Sequence, residues 1–190
     1  MKNKAIFLDR DGVINVDKGY VYKVEDIEFV DGIFEALKKV TDKYRLIIVT
    51  NQSGIARGYY TESQFFKVMD FIIHKFEDNG IKVDGYYYCP HHPSAAVIER
   101  YLHDCKCRKP KPGMLLKAAE DKGIILAESY MIGDKISDAE AGIAAGCRSI
   151  LIKVDETELT NLRSSSNLEK VVVVNDIHEA VDYILSEEDN

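Results

Sequence analysis

The sequence has no apolar run that approaches the roughly 18–20 residues needed to span a membrane. Its first residues, MKNK, lead at once into a short apolar stretch, so the apolar core of a signal peptide is also missing. Positive charge is not in excess, because 32 Asp and Glu residues outnumber 25 Lys and Arg, for a formal net charge of −7. We therefore expect a cytoplasmic protein that binds neither nucleic acid nor membranes. A locally positive site for an anionic substrate remains compatible with this charge.

Internal repeats, low-complexity tracts and interdomain linkers are absent too, and 190 residues suit one domain with a full core. Short apolar runs alternate with amphipathic segments along the chain, which is typical of an α/β fold with a mostly parallel sheet. Strands are predicted at 4–8, 45–50, 84–89, 130–133, 149–153 and 171–174. Helices are predicted at 32–44, 61–79, 113–123, 137–146 and 176–188, and the polar segment 155–170 is predicted to lie on the surface.

Cysteine is scarce, with four residues in the chain, but three of them share one segment with three of the five histidines. In a reducing compartment, clustered cysteines favour a metal site over disulfides. Side chains alternate in an extended chain, so His91 shares a side with Cys89 while His92 points away. The spacing suits a tetrahedral structural zinc site in a loop at 89–107. The predicted zinc ligands are Cys89, His91, Cys105 and Cys107.

Two other interpretations of this segment stay open, namely unliganded thiols and a catalytic zinc that keeps three protein ligands and a water. The segment ends directly before Arg108 and Lys109, on a stretch without predicted secondary structure. A closed zinc site would therefore hold two cations in place as a scaffold. The fourth cysteine, Cys147, is predicted to be a small buried residue.

The stretch IFLDRDGVIN, residues 6–15, brings two carboxylates to the end of the first strand. Ligands of open α/β sheets bind at this edge. Asp9 and Asp11 would repel each other there unless a cation or a proton were shared between them. A Mg²⁺ ion bound by oxygen ligands would remove the repulsion and leave room for a phosphate. Gly12 permits a sharp turn. The alternative is a turn with two solvated acids.

Three later strand ends or helix starts carry residues that suit a phosphate. Thr50 follows the second strand with a hydroxyl, and Arg108 and Lys109 supply cations before a helix. Asp134 ends a further strand, and Asp138 lies one helical turn beyond it. Taken singly, Thr50 could be a helix cap, Lys109 a solvated side chain and Asp138 an acid at a helix N-terminus. Together they indicate a site for phosphoryl chemistry.

In combination, these residues resemble the four motifs of the haloacid dehalogenase (HAD) superfamily: Asp9-x-Asp11, Thr50, Lys109 and Gly133-Asp134-x-x-x-Asp138. The resemblance implies a doubly wound, Rossmann-like sheet and an aspartyl-phosphate mechanism. Asp9 would be the nucleophile, and Asp11 would be the general acid and then the general base. Thr50 and Lys109 would stabilise the transferring phosphoryl group. The implied Mg²⁺ ligands are Asp9, Asp134 and the backbone carbonyl of Asp11, with Asp138 as their partner.

The sequence departs from this family at Val13, where many members have Thr after D-x-D-G. The change removes a hydroxyl contact but none of the roles above. Large members insert a cap domain after the first or second motif. Here about 20 residues separate Asp11 from the first predicted helix, and a predicted helix, a strand and the Cys/His segment already occupy the interval between Thr50 and Lys109. We therefore expect a capless enzyme, one domain over 1–190 with the zinc loop as an insertion, that acts as a monomer.

Nearly the whole chain is also similar to one group within the superfamily, the D-glycero-D-manno-heptose 1,7-bisphosphate 7-phosphatases. The matching stretches are FLDRDGVIN, GYV, TNQSGIARG, YYCPHHP, CKCRKPKPGM and MIGDK. The resemblance implies removal of the C7 phosphate of a sugar bisphosphate, for lipopolysaccharide core or a surface glycan. Arg108 would bind the distal phosphate. The implied substrate contacts are Asp17, Lys18, Gly19, Tyr20, Asn51, Gln52, Ser53, Arg108 and Lys135.

Two other functions stay open. Histidinol-phosphate phosphatase shares these motifs and the zinc loop, but a substrate with one phosphate would have less use for Arg108. A zinc-stabilised binding module without catalysis is the second. Asp9 and Asp11 argue against it, because a protein that only binds phosphate has no reason to direct two acids at an anion.

Overall fold

The computed structural model describes residues 2–154 and 171–188, together with positions 157 and 160, and contains one six-stranded parallel sheet. The strands are β1 Ala5–Leu8, β2 Arg45–Asn51, β3 Val83–Cys89, β4 Tyr130–Gly133, β5 Arg148–Ile152 and β6 Val172–Val174. Their order in the sheet is β3-β2-β1-β4-β5-β6. The predicted doubly wound α/β class is confirmed. The predicted surface segment 155–170 lies outside the described residues, apart from the two single positions.

Six α-helices flank the sheet in the described ranges. They are α1 Ile33–Lys38, α2 Ser53–Ala56, α3 Glu62–Asp78, α4 Gly113–Lys122, α5 Ile136–Ala145 and α6 Ile177–Glu188. The first predicted helix extended to residue 44, but α1 ends six residues earlier and the chain continues in turns. Val40 and Tyr44 are nevertheless buried, so the apolar periodicity marked burial beyond the helix itself. The four-residue helix α2 was not predicted.

The longest helix, α3, begins as its sequence predicts. The Thr61 side chain accepts from the Gln64 backbone N–H, and the Gln64 side chain accepts from the Thr61 backbone N–H, which completes a capping box. The helix packs one apolar face into the core, through Phe65, Val68, Met69, Ile72 and Phe76. Each such buried side chain contributes about 1.5–3 kcal/mol to the free energy of unfolding.

The strand order brings three strand ends together. The fully buried β1 lies between β2 and β4, with Leu8 in register with Ile48 on one side and Ile132 on the other. The chain winds outward in opposite directions from this point, and such a switch in strand order opens a crevice at the carboxyl ends of the strands. The residues that follow β1, β2 and β4 therefore line one crevice.

The interval between β1 and α1 belongs to the main body of the protein. Val13 and Ile14 are buried in the same cluster as Ile6 and Leu8 of β1, and Val21 is buried as well. The described part of the chain thus has the predicted capless architecture. None of the described helices combines the length and apolar character that a membrane crossing requires.

Candidate active site

One lysine and two aspartates form a buried ionic cluster in the crevice. Lys109, from the loop before α4, places its Nζ 2.9 Å from Asp9 Oδ1 and 2.6 Å from Asp138 Oδ1. The same ammonium group donates to the backbone carbonyl of Val49 at 2.8 Å. Burial alone would lower the pKa of Lys109, but Asp138 and Asp9 outweigh that effect and raise it. The lysine therefore stays charged.

The acids of the crevice carry more negative charge than Lys109 compensates. Burial raises the pKa of Asp9 to about 7, although Lys109 opposes the shift. Burial also raises the pKa of Asp134 to about 6, against the opposing charge of Lys135. Carboxylates shifted in this direction are stabilised by any cation that binds between them.

Carboxylate oxygens of Asp9, Asp134 and Asp138 lie within 4.8 Å of one another. Asp138 is already committed, because one oxygen contacts Lys109 and the other accepts from the Lys135 backbone N–H at 3.1 Å. In contrast, Asp134 Oδ1 is buried without a hydrogen-bond partner. Oxygen donors of this kind are what Mg²⁺ prefers. The residues fit a divalent cation held by Asp9 and Asp134, with Asp138 holding Lys109 beside it.

The backbone at position 12 requires a glycine. Its φ of +91° is in the left-handed region, and an added Cβ would lie only 2.1 Å from Asp134 Oδ2. The turn after β1 therefore brings its backbone against Asp134. The predicted sharp turn is present, and its purpose is this close approach.

The carboxylate of Asp11 is surrounded by hydrogen-bond donors. Arg10 Nη2 donates to both of its oxygens at 2.8 Å, and Asn15 Nδ2 donates to Oδ1 at 3.0 Å. Gln52 Nε2 donates to Oδ2 at 3.1 Å. Arg10 is fully buried and also donates to the backbone carbonyl of Val21 at 2.8 Å. These contacts hold the Asp11 side chain at the wall of the crevice.

A cavity of about 480 Å³ opens above this cluster. Most of the predicted substrate contacts line it: Asp17, Gly19, Tyr20, Asn51, Gln52, Ser53, Arg108 and Lys135, together with Asp11 and Lys109. Tyr60, Pro110 and Ser137 complete the lining. Lys18 is the exception among the predicted contacts. It does not line the cavity, because its ammonium group pairs with Glu28 at 2.8 Å.

Several of the lining residues have their polar groups bonded to other parts of the protein. The Asn51 amide donates to the Lys109 carbonyl at 3.0 Å and accepts from the Lys109 backbone N–H at 3.1 Å. Asn51 thus fixes the Lys109 backbone to the end of β2, where a phosphate contact was predicted. In the same lining, Lys135 Nζ lies 3.0 Å from Asp17 Oδ2.

The four predicted zinc ligands lie together at the end of β3 and in the loop that follows it, with all ligand atoms within 4.8 Å of one another. Cys107 Sγ is 3.0 Å from Cys105 Sγ and 3.4 Å from His91 Nδ1. Cys89 Sγ is 3.4 Å from Cys105 Sγ. A disulfide needs a sulfur separation of about 2.05 Å, so these are free thiols grouped as around a shared metal. Hydrogen bonding with Cys89 lowers the pKa of Cys107 to about 5, so a thiolate is available.

The neighbouring His92 is used differently. Its Nδ1 accepts from the Ala95 backbone N–H at 2.9 Å, and its Nε2 faces Arg57 Nη2 at 3.2 Å.

The cysteine cluster is also joined to the cavity, because Arg108 Nη1 donates to the His91 carbonyl at 3.4 Å. Cys147 is buried, as predicted, and burial raises the pKa of its thiol to about 12.

Sequence reasoning missed Arg10, Asn15 and Tyr60. A signal for Arg10 existed, because an arginine between two acids at the end of a buried strand needs a buried anionic partner. Tyr60 carries no comparable signal, since its hydroxyl meets Gln52 only in the folded chain.

Comparisons with known proteins agree with this arrangement. The HAD-hydrolase-like family model matches residues 106–180. A D-glycero-alpha-D-manno-heptose-1,7-bisphosphate 7-phosphatase of Campylobacter jejuni is 48% identical over 174 residues, which cover 90% of this chain and 95% of that protein. A D-glycero-beta-D-manno-heptose-1,7-bisphosphate 7-phosphatase of Escherichia coli is 49% identical over 142 residues, 74% of each chain.

A solved structure extends the likeness to the whole fold. The D,D-heptose 1,7-bisphosphate phosphatase of B. bronchiseptica, complexed with magnesium and phosphate, superimposes with a TM-score of 0.82. It is 30% identical, and the match covers 97% of this chain and 99% of that one. By its sequence identity over nearly its full length and by its fold, the chain belongs to the D-glycero-D-manno-heptose 1,7-bisphosphate 7-phosphatase family of HAD-like hydrolases.

Proposed function

We propose that this chain is a Mg²⁺-dependent phosphatase that removes the C7 phosphate of D-glycero-D-manno-heptose 1,7-bisphosphate and leaves the 1-phosphate. The observation that carries the proposal is the buried Lys109, which bridges Asp9 and Asp138 beside the unpartnered oxygen of Asp134. Such a cluster at the carboxyl ends of central strands suits an in-line phosphoryl transfer. The product would supply the synthesis of a nucleotide-activated heptose for lipopolysaccharide or a surface glycan.

The reaction proceeds in two displacements. An Asp9 carboxylate oxygen attacks phosphorus, the bond between phosphorus and O7 breaks, and Asp11 gives its proton to the departing O7. This releases heptose 1-phosphate and leaves a phosphoryl group on Asp9. Water then attacks the same phosphorus and loses a proton to Asp11. The bond to Asp9 breaks, which releases inorganic phosphate and restores both aspartates.

Two side chains would stabilise the transferred phosphoryl group. Lys109 stays charged and lies 2.9 Å from the Asp9 oxygen, so its charge is next to the reacting atom. Thr50 Oγ1 accepts from Gln52 Nε2 at 2.8 Å, which leaves the threonine O–H free to donate to a phosphoryl oxygen. Mg²⁺, when held by Asp9, Asp134 and the Asp11 backbone carbonyl, would offset the negative charge of the phosphate.

The cavity supports a substrate with a second phosphate. Arg108 lines it, and within the described ranges no carboxylate forms an ion pair with this guanidinium group. A guanidinium group binds phosphate through two parallel hydrogen bonds. We assign it to the 1-phosphate, at the opposite end of the sugar from Asp9. Lys135, which also lines the cavity, adds a second cation.

A structural zinc ion completes the proposal. The Cys89, His91, Cys105 and Cys107 cluster offers four ligands and no open position, which suits a scaffold. The loop 89–107 is then an insertion within a single domain over 1–190.

The enzyme is proposed to act as a monomer in the cytoplasm, and light scattering on the purified protein checks the oligomeric state.

The test is phosphate release with Mg²⁺ on three substrates in parallel: the α and β anomers of the heptose bisphosphate, and histidinol phosphate. We expect rapid turnover of at least one anomer and little turnover of histidinol phosphate. Comparable turnover on histidinol phosphate would contradict the sugar assignment. Relatives are named for each anomer, so the ratio of the two rates assigns the anomer for this chain.

Asp9→Asn tests the chemistry separately from the substrate. The variant keeps the shape of the side chain but not its nucleophilic carboxylate. Phosphate release should fall to the uncatalysed rate on every substrate. If Mg²⁺-dependent release survives, Asp9 is not the nucleophile.

A further inference from the structure

A chain of buried hydrogen bonds joins a tyrosine outside the motifs to Asp11. The Tyr60 hydroxyl donates to Gln52 Oε1 at 2.5 Å. At its other end, the Gln52 amide donates to Asp11 Oδ2 at 3.1 Å and to Thr50 Oγ1 at 2.8 Å. Both Tyr60 and Gln52 are almost completely buried. One amide thus contacts two of the side chains assigned to the chemistry.

The direction of these hydrogen bonds follows from which groups can donate a proton and which can accept one. Both Asp11 oxygens accept hydrogen bonds from neighbouring side chains, and the amino end of Gln52 is the end that faces them. The carbonyl end of Gln52 then needs a donor on its other side. Burial raises the pKa of Tyr60, which keeps its hydroxyl protonated and able to donate. The tyrosine hydroxyl therefore selects the amide orientation that serves Asp11.

The ring of Tyr60 is itself held in place. It stacks on Tyr22 with ring centres 5.2 Å apart and an interplanar angle of 9°. It also lies against Gly54, where an added Cβ would approach Tyr60 Cε1 to 2.2 Å. Because the ring has little freedom to move, its hydroxyl is a fixed point for Gln52.

We propose that Tyr60 is a positioning residue that acts through Gln52 on the Asp11 carboxylate and the Thr50 hydroxyl. The inference rests on the proposed function, in which Asp11 transfers the proton. Without the tyrosine hydroxyl, Gln52 Oε1 would be buried without a donor, and the amide could turn its oxygen towards Asp11. The Asp11 carboxylate would then be displaced from the orientation that reaches the leaving oxygen.

The expected effect is partial, because Arg10 still donates to both Asp11 oxygens and Asn15 donates to one of them. Tyr60→Phe should lower kcat on the heptose bisphosphate about 10-fold, a fraction of the 10²–10⁴-fold that a general acid contributes. KM should stay within about twofold of the wild-type value, since the ring that lines the cavity is kept and the lost hydroxyl donates to Gln52. The matched control is Tyr88→Phe, which removes a tyrosine hydroxyl bonded to Glu62 at 2.8 Å and should leave kcat unchanged.

A double-mutant cycle tests whether Tyr60 works through Gln52. Gln52→Met should lower kcat about 100-fold, and Gln52→Met combined with Tyr60→Phe should be no slower than Gln52→Met alone. A wild-type kcat for Tyr60→Phe, or effects that multiply in the double variant, would overturn the inference. Thermal unfolding of each variant identifies any loss of folded protein, and Tyr60→Phe alone decides the question if Gln52→Met does not fold.

Asp11→Asn separates this inference from the proposed function. If Asp11→Asn keeps full activity, the assignment of Asp11 is wrong and the proposed mechanism fails. If Asp11→Asn is inactive while Tyr60→Phe matches the wild type, the mechanism stands and only the role of Tyr60 fails.

Discussion

Lys109 Nζ lies 2.6 Å from Asp138 Oδ1, and both side chains are almost completely removed from solvent. Asp9 is the second anion on the same ammonium group. Two buried carboxylates thus share one buried cation, so the charge balance of the crevice depends on this lysine.

Lys109→Met should destabilise the fold as well as abolish activity. Removing one partner of a buried ionic cluster costs about 3–5 kcal/mol, because the remaining charges are left without compensation. Urea unfolding in Mg²⁺-free buffer measures the loss. Adding Asp138→Asn should restore part of the stability and none of the activity.

The control for that prediction is Lys117→Met. Lys117 pairs with Asp121 at 2.7 Å on the exposed surface of α4, where solvent screens the ion pair and its contribution to stability is small. A Lys109→Met variant as stable as Lys117→Met would show that the cluster does not depend on the lysine charge.

Gly12→Ala should disable the metal site. The new Cβ would collide with Asp134, and a displacement of about 1 Å at a reacting centre can cost on the order of 100-fold in rate. Gly123→Ala is the matched control, because Gly123 also has a positive φ of +64° but open space around an added Cβ. Both variants should lose about 1–2 kcal/mol to backbone strain, and only Gly12→Ala should lose activity and its response to Mg²⁺. Equal activity in the two variants would contradict the prediction.

Cys105→Ser should remove the proposed zinc ion. We expect zinc content by elemental analysis to fall from one equivalent, and Tm to fall because a structural zinc ion stabilises the folded loop. Activity should drop as well, since Arg108 and Lys109 follow the cluster directly. Cys147→Ala, at a buried cysteine outside the cluster, should keep its zinc. Wild-type zinc content in Cys105→Ser would remove this residue from the ligand set.

Arg108→Gln should weaken the recognition of the second phosphate. A hydrogen bond to a charged group contributes about 1.5–3 kcal/mol, so kcat/KM on the heptose bisphosphate should fall roughly 10- to 100-fold. Turnover of a heptose that carries only the 7-phosphate should change little. Arg100→Gln, at an exposed arginine beside Tyr101 in the same loop, is the control. An equal loss on both substrates would place Arg108 at the reacting phosphate.

Local patterns predicted much of the fold. Continuous apolar runs located all six described strands within one residue or two, since strands covered on both faces have few polar positions. Helix α3 was predicted from its capping box and its terminal glycine. Helix α1 is shorter than predicted, because apolar periodicity reports burial, and Val40 and Tyr44 are buried although they lie in the turns after Lys38.

Candidate site residues could be predicted where two side chains of the same chemistry lie close together in the sequence. Asp9 with Asp11, and Cys105 with Cys107, are such pairs. Lys18 shows the limit of this reasoning: it lies in a predicted contact segment, but the fold directs its ammonium group to Glu28 and away from the cavity. Asn51 is similar, since its amide holds the Lys109 backbone.

The sequence by itself determined the acids at strand ends, the clustered cysteines and the alternation of strands and helices, because each depends on residues close together in the chain. Only the tertiary structure decided which groups meet. Gln52 reaches Asp11 across 41 positions, and Asn51 reaches Lys109 across 58. Such contacts depend on β1 lying between β2 and β4. Strand order follows from the packing of the whole core, so the donors around Asp11 and the partners of Lys109 are properties of the folded chain.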